Sequence, residues 1–180
     1  MKLIAAVVTA ILLALLGVSS VIAQTPTGRE VVAPSAVTSF EPVSRGASFQ
    51  LAVILKIRPG YHINARQVSA DYLIPTDLRA EIPEGFKAGD VSYPRGTLRP
   101  FTFSKTPLNV YQGTAILRLR VNTHADAPLG AQHIPLKLRY QACSEEICLP
   151  PVTVDVDAKF TVVSKSSAAK PANSEFFKQP

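Results

Sequence analysis

Ile134-Pro135-Leu136-Lys137-Leu138-Arg139-Tyr140 and Val152-Thr153-Val154-Asp155-Val156-Asp157-Ala158-Lys159-Phe160-Thr161-Val162 alternate apolar residues with mostly polar ones. A period of two sends one set of side chains to a core and the other to solvent, which marks half-buried strands. Between the two runs lies Gln141-Ala142-Cys143-Ser144-Glu145-Glu146-Ile147-Cys148-Leu149-Pro150-Pro151, which holds both cysteines of the chain. The reading is a pair of antiparallel strands with the cysteines at the mouth of their turn. There, Cα atoms roughly 5.5 Å apart suit a disulfide.

Two roles stay open for such a bridge. As a local clip it closes a small ring, and the chain-entropy model gives that about 2 kcal/mol. As a redox tool it would be exposed and reducible, and the polar flank Ser144-Glu145-Glu146 favours exposure. The two glutamates would raise a thiolate pKa rather than lower it, which counts against a strongly activated nucleophile.

Working outward, Ser48-Phe49-Gln50-Leu51-Ala52-Val53-Ile54-Leu55-Lys56-Ile57 is apolar on nearly both faces and predicts a central strand. Thr114 to Val121 predicts another, and Leu78 to Ile82 and Phe86 to Tyr93 predict weaker ones. Val31, Val32 and Val37 could pair on a sheet edge. Pro94 to Pro107, dense in Pro, Gly and aromatics, reads as a long ordered loop. After the N-terminal segment no long helical periodicity appears. About seven to nine short strands separated by turns predict an all-β, immunoglobulin-like sandwich in a single domain.

The start of the chain reads as a secretory signal. Lys2 precedes an apolar run from Leu3 to Val18, and Val21 and Ala23 stand at the small-residue positions before Gln24. A retained anchor over Leu3 to Ala23 is the other reading, since that run is long enough to span. The expected organisation is a signal over 1–23, an extended lead-in over 24–39, the domain over 40–163 and a disordered, Ser/Ala/Lys-rich tail over 164–180. A secreted chain with two cysteines belongs to an oxidising compartment. No membrane span is expected once the signal is removed.

The formal net charge is +6 with Trp absent. The basic residues are scattered, which argues against nucleic-acid binding. His62, His124 and His133 are isolated, so no metal site is expected. A copper site of the cupredoxin kind needs two His, a Cys and a weak axial ligand such as Met. Here the only Met is Met1, and no His follows Cys148. Phe101 and Phe103 either anchor the proline-rich loop on the core or form a lid over a reactive disulfide. Tyr61-His62-Ile63-Asn64 is either a strand end with a core tyrosine or a segment that sets His62 and Asn64 beside the cysteines.

Tyr140-Gln141-Ala142-Cys143, Cys148-Leu149-Pro150-Pro151, Gly60-Tyr61-His62-Ile63-Asn64 and the aromatic loop ending Phe103-Ser104-Lys105 together resemble the N-terminal periplasmic domain family of the thiol:disulfide interchange protein DsbD. The resemblance runs from about Val31 to Val163. It implies an immunoglobulin-like sandwich with a redox-active pair, in which Cys148 forms the mixed disulfide with partners and Cys143 resolves it. It also implies a cap loop around Phe101 to Lys105 and a site lined by His62, Asn64, Phe101, Phe103 and Tyr140. The activity implied is that of a periplasmic protein-disulfide reductase, serving disulfide correction or cytochrome maturation without a cofactor. Four residues separate the cysteines here, against five in the best-known member. Read to Pro180, the sequence holds neither the multi-span membrane domain nor the C-terminal thioredoxin-like domain of that family member. The expected partners are therefore thioredoxin-fold proteins and a separate membrane electron carrier, with the protein itself a monomer. The alternative function is a secreted immunoglobulin-like binding or assembly module with a purely structural disulfide.

Overall fold

The computed structural model describes residues 25–164 and 168–178. The signal or anchor read over 1–23 lies outside the described residues. A short helical turn, α1 (Gly28–Val31), precedes twelve strands. They are β1 (Val32–Thr38), β2 (Val43–Ser44), β3 (Ser48–Ile57), β4 (His62–Asn64), β5 (Asp77–Ala80), β6 (Phe86–Ser92), β7 (Thr97–Arg99), β8 (Leu108–Tyr111), β9 (Thr114–Thr123), β10 (Gly130–Tyr140), β11 (Ala142–Cys143) and β12 (Val152–Val163).

The strands form three sheets, ordered β1-β3-β9-β6, β2-β12-β10-β5 and β11-β4-β8-β7. The first two supply the faces of the sandwich. Along β12 the residues Val154, Val156, Ala158, Phe160 and Val162 are buried, while Asp155, Asp157, Lys159 and Thr161 are exposed. β10 matches it with Ile134, Leu136, Leu138 and Tyr140. The two strands pair antiparallel from Gly130↔Val162 to Tyr140↔Val152, as their common alternation requires. From the opposite sheet, Leu51, Val53, Leu55, Leu117, Leu119 and Val121 complete the core. Phe160 links the layers, with its ring centroid 5.2 Å from Phe49 and 5.5 Å from Phe86. β3 is interior to its sheet, between β1 and β9, and is buried without a break from Leu51 to Leu55.

Three expectations change. Val32 and Val37 pair on a sheet edge as read from the sequence, which moves the boundary of the domain into the 24–39 lead-in: β1 is an edge strand and pairs with β3 from Val32↔Ile57 to Thr38↔Leu51. Pro34 is tolerated there because an edge strand has one unpaired side. The loop from Pro94 to Pro107 contains β7, a three-residue strand on β8. The tail expected to be disordered over 164–180 makes defined contacts where it is described. Lys170 O accepts from Glu41 N, Ala172 N donates to Ser39 O, Asn173 Nδ2 donates to Thr38 O, and Arg118 Nε donates to Phe176 O. Most of these bonds use tail backbone, to which composition is blind.

One turn sets a conformational requirement. Gly85 has φ +85°, and a Cβ there would lie 2.9 Å from Ala127 Cα. Gly85→Ala is expected to destabilise by about 2 kcal/mol or more, combining the left-handed penalty with that clash. Gly89→Ala is the control, because its nearest neighbour would be Arg120 O at 3.9 Å. Urea midpoints compare the two.

Candidate functional site

The third sheet carries the cysteines. β11 leaves the β10–β12 ladder after Tyr140 and pairs instead with β4, in the register Ala142↔Ile63 and Cys143↔His62. On its other side β4 pairs with β8, with Ile63↔Tyr111 and Asn64↔Val110. The cysteines therefore do not sit at the mouth of a simple β10–β12 turn. They form a miniature hairpin of their own within that connection. The prolines Pro150 and Pro151 supply no backbone N–H, so no ladder runs continuously from the cysteines into β12.

Cys143 and Cys148 face each other across an antiparallel bridge and are joined by a disulfide with a Cα–Cα distance of 3.9 Å. Two hydrogen bonds bracket the pair: Ser144 N donates to Ile147 O and Leu149 N to Ala142 O, each at 2.8 Å. That is the pattern of a non-hydrogen-bonded cross-strand pair, in which Cα atoms approach most closely. It explains why the separation is shorter than the roughly 5.5 Å typical of disulfides in general. Ser144 Oγ closes the turn by accepting from Glu146 N and Ile147 N. Glu145, Glu146 and Ile147 are exposed at its tip. The two cysteines differ sharply: Cys143 is fully buried and Cys148 is exposed.

Across the strand from Cys143, an aromatic stack rises on His62. The Phe101 ring lies 4.1 Å from the imidazole, nearly parallel, and the Phe103 ring 5.4 Å beyond it. Phe101 is buried in a small cluster with Leu73, Leu108 and Val110, separate from the main core. Phe103 is 41% exposed. The two open roles thus divide between the residues: Phe101 anchors the loop and Phe103 forms its outer layer. Thr102 Oγ1 donates to Glu145 O at 3.1 Å, which ties this loop to the cysteine turn.

The model of the family described as "Thiol:disulfide interchange protein DsbD, N-terminal" matches residues 29–159. The chain belongs to this family. Among solved structures it is similar to the N-terminal periplasmic domain of ScsB from Proteus mirabilis, at 11% identity and a TM-score of 0.46, covering 72% of this chain and 45% of that one. The chain thus spans less than half the length of that structure. A second likeness is to a family 123 glycoside hydrolase from Clostridium perfringens, at 11% identity and a TM-score of 0.31, covering 74% of this chain and 28% of that one. No curated protein matches.

Within this DsbD N-terminal domain the remaining candidates have distinct surroundings. His62 is 1% exposed, and neither ring nitrogen has a hydrogen-bond partner among the described residues. Burial, and secondarily the positive charge of Arg99, lower its pKa to about 4, so the ring is neutral at neutral pH. Asn64 Nδ2 donates to Ile74 O at 3.0 Å and to Gln141 Oε1 at 3.4 Å. Its backbone carbonyl accepts from Thr76 Oγ1. Through these bonds Asn64 braces β4 against the 65–76 segment and Gln141.

Tyr140 belongs to the main core, and its buried hydroxyl donates to Gly28 O at 2.9 Å. Burial pushes its pKa up to about 12, so the phenol stays protonated and tethers α1. Tyr140→Phe is expected to cost about 1–3 kcal/mol by stranding the Gly28 carbonyl. The urea midpoint should fall while the reduction potential of the cysteine pair stays unchanged.

Gln141 had no role assigned from the sequence, although it stands in the quoted motif. Its Nε2 donates to Leu149 O at 3.3 Å, and its Oε1 accepts from Asn64. It joins the cysteine turn to β4. Thr102 was likewise passed over. Nothing in local sequence signals either residue, since Gln141 meets Asn64 and Thr102 meets Glu145 only through the tertiary fold.

Proposed function

We propose that this protein is a periplasmic thiol–disulfide interchange module that passes reducing equivalents between thioredoxin-like proteins through Cys143 and Cys148. Membership in the DsbD N-terminal family supports the class of reaction. The observation that carries the residue roles is the asymmetry of the pair, with Cys148 exposed and Cys143 buried. A partner's sulfur can reach only the exposed one.

In the reduced protein the Cys148 thiolate attacks a disulfide sulfur of the partner, whose other sulfur leaves as a thiolate. Cys143 then attacks Cys148 Sγ, re-forms the internal disulfide and releases the partner as a dithiol. The short hairpin keeps the second thiol close, so resolution is effectively intramolecular. The reverse sequence, driven by a separate membrane electron carrier, would recharge the pair. The exposed side chains of Ile147 and Phe103 offer apolar surface beside Cys148 for a partner to cover. His62, Phe101 and Phe103 line the site, while Asn64 and Tyr140 brace its strands through hydrogen bonds. The two thiols suffice for this exchange, which draws on no cofactor.

The test is the reduction potential of the pair, by thiol-buffer titration with alkylation and mass spectrometry. A value above about −300 mV places it within reach of cellular dithiol carriers. A value well below that makes it a structural clip and leaves a binding module as the function.

A further inference from the structure

We infer that His62 is the proton acceptor for Cys143 in the resolving step. The inference rests on the interchange reading above and deepens it. Cys143 and His62 are directly opposite in the β11–β4 register. Side chains of such pairs share one face of the sheet, with Cβ atoms about 4.5–5.5 Å apart. Phe101 covers the imidazole on one ring face. Both ring nitrogens are buried without a partner among the described residues, a costly arrangement at a position where an apolar ring would stack on Phe101 equally well. The reduced protein places a thiol across the strand from those unpartnered nitrogens.

Cys143 needs such a group. It is fully buried, and burial in apolar surroundings raises a thiol pKa. The charged and titratable groups around the pair do not serve. Glu145 and Glu146 are exposed on the turn and oppose thiolate formation. Arg99, on β7, acts on the ring as a cation and cannot accept a proton. On β8 the Tyr111 hydroxyl donates to Pro94 O and accepts from Arg66 N. The neutral state of the imidazole, with its pKa lowered to about 4 in the disulfide form, leaves a lone pair free. In the reduced form the new thiolate supplies the opposite charge that favours the imidazolium.

The step balances as follows. The Cys143 thiol gives its proton to His62. Its sulfur lone pair forms a bond to Cys148 Sγ, and the Cys148–partner S–S bond breaks with its electron pair on the partner sulfur. The imidazolium then returns the proton, and the partner leaves as a thiol. No external oxidant or reductant enters.

The full reduced chain is mixed with excess 5,5′-dithiobis-(2-nitrobenzoate), which releases coloured thiolate in two phases. The first reports attack by Cys148 and the second its displacement by Cys143. In His62→Phe, which keeps the stacking on Phe101, the second phase at pH 7 is expected to slow about tenfold or more. The first phase should stay within about twofold, since Cys148 does not depend on this proton transfer. In ¹³C-cysteine-labelled protein, the pH midpoint of the Cys143 Cβ signal should rise. His62→Gln, which can donate a hydrogen bond but cannot take the proton, should resemble His62→Phe. An unchanged second phase, or full recovery in His62→Gln, overturns the inference. Wild-type protein whose disulfide resists every dithiol would instead overturn the interchange reading, which the reagent assay on reduced protein does not test.

Discussion

Cys143→Ser is expected to turn a transient exchanger into a trap. The remaining Cys148 thiol is exposed and can attack an oxidised thioredoxin-fold protein. No second thiol is present to break the resulting bond, so the covalent complex accumulates and catalytic turnover disappears. The loss is large because an intramolecular thiol competes at very high effective concentration, and no solvent thiol substitutes for it. Cys148→Ser should form little complex, because the thiol it leaves is fully buried. Non-reducing electrophoresis with mass spectrometry of the band reads both outcomes. Complex formation by the Cys148→Ser protein alone would reverse the assignment, and complex formation by neither would return the bridge to a structural role. Either substitution also opens the disulfide, but the ring is short, and the chain-entropy model assigns it only about 2 kcal/mol. The sandwich core does not depend on it, so a null result would not be explained by unfolding.

Phe101→Ala is expected to expose the disulfide to small thiols. The ring is buried in a cluster of its own with Leu73, Leu108 and Val110, stacked between His62 and Phe103. Truncating a buried phenylalanine costs about 3–5 kcal/mol. Because the cluster is separate from the main core, that cost falls on local opening of the loop rather than on the whole fold. At about 1.4 kcal/mol per factor of ten, the open population should rise by roughly a hundredfold or more. Reduction of the pair by glutathione should accelerate toward the rate of an unshielded disulfide, while the melting temperature of the sandwich shifts far less. Phe103→Ala should do less, since that ring is already 41% exposed. An unchanged reduction rate with a lower melting temperature would make Phe101 a packing residue only.

How much of this was legible varies by element. β3, β9, β10 and β12 are each ten or more residues long, long enough for hydrophobic periodicity to rise above noise. Their alternation specifies the two faces, and with them the sandwich. The third sheet is different. β4, β7 and β11 have three, three and two residues, too few for any period to show. Their pairing is set by partners far away in sequence. The contacts of the tail run mostly through backbone groups, to which composition is blind, and Tyr140 neighbours the cysteines in the motif while its side chain turns into the core.

By itself the sequence determined the all-β class, the long antiparallel pair with both cysteines in its connection, and the family resemblance. These depend on local pattern and residue type. Only the tertiary structure decided that β11 abandons the β10–β12 ladder for β4, and so that Cys143 is buried opposite an unpartnered His62 while Cys148 stays exposed. Burial and cross-strand neighbourhood are properties of non-local pairing, and a one-residue slip would have turned either side chain to the opposite face.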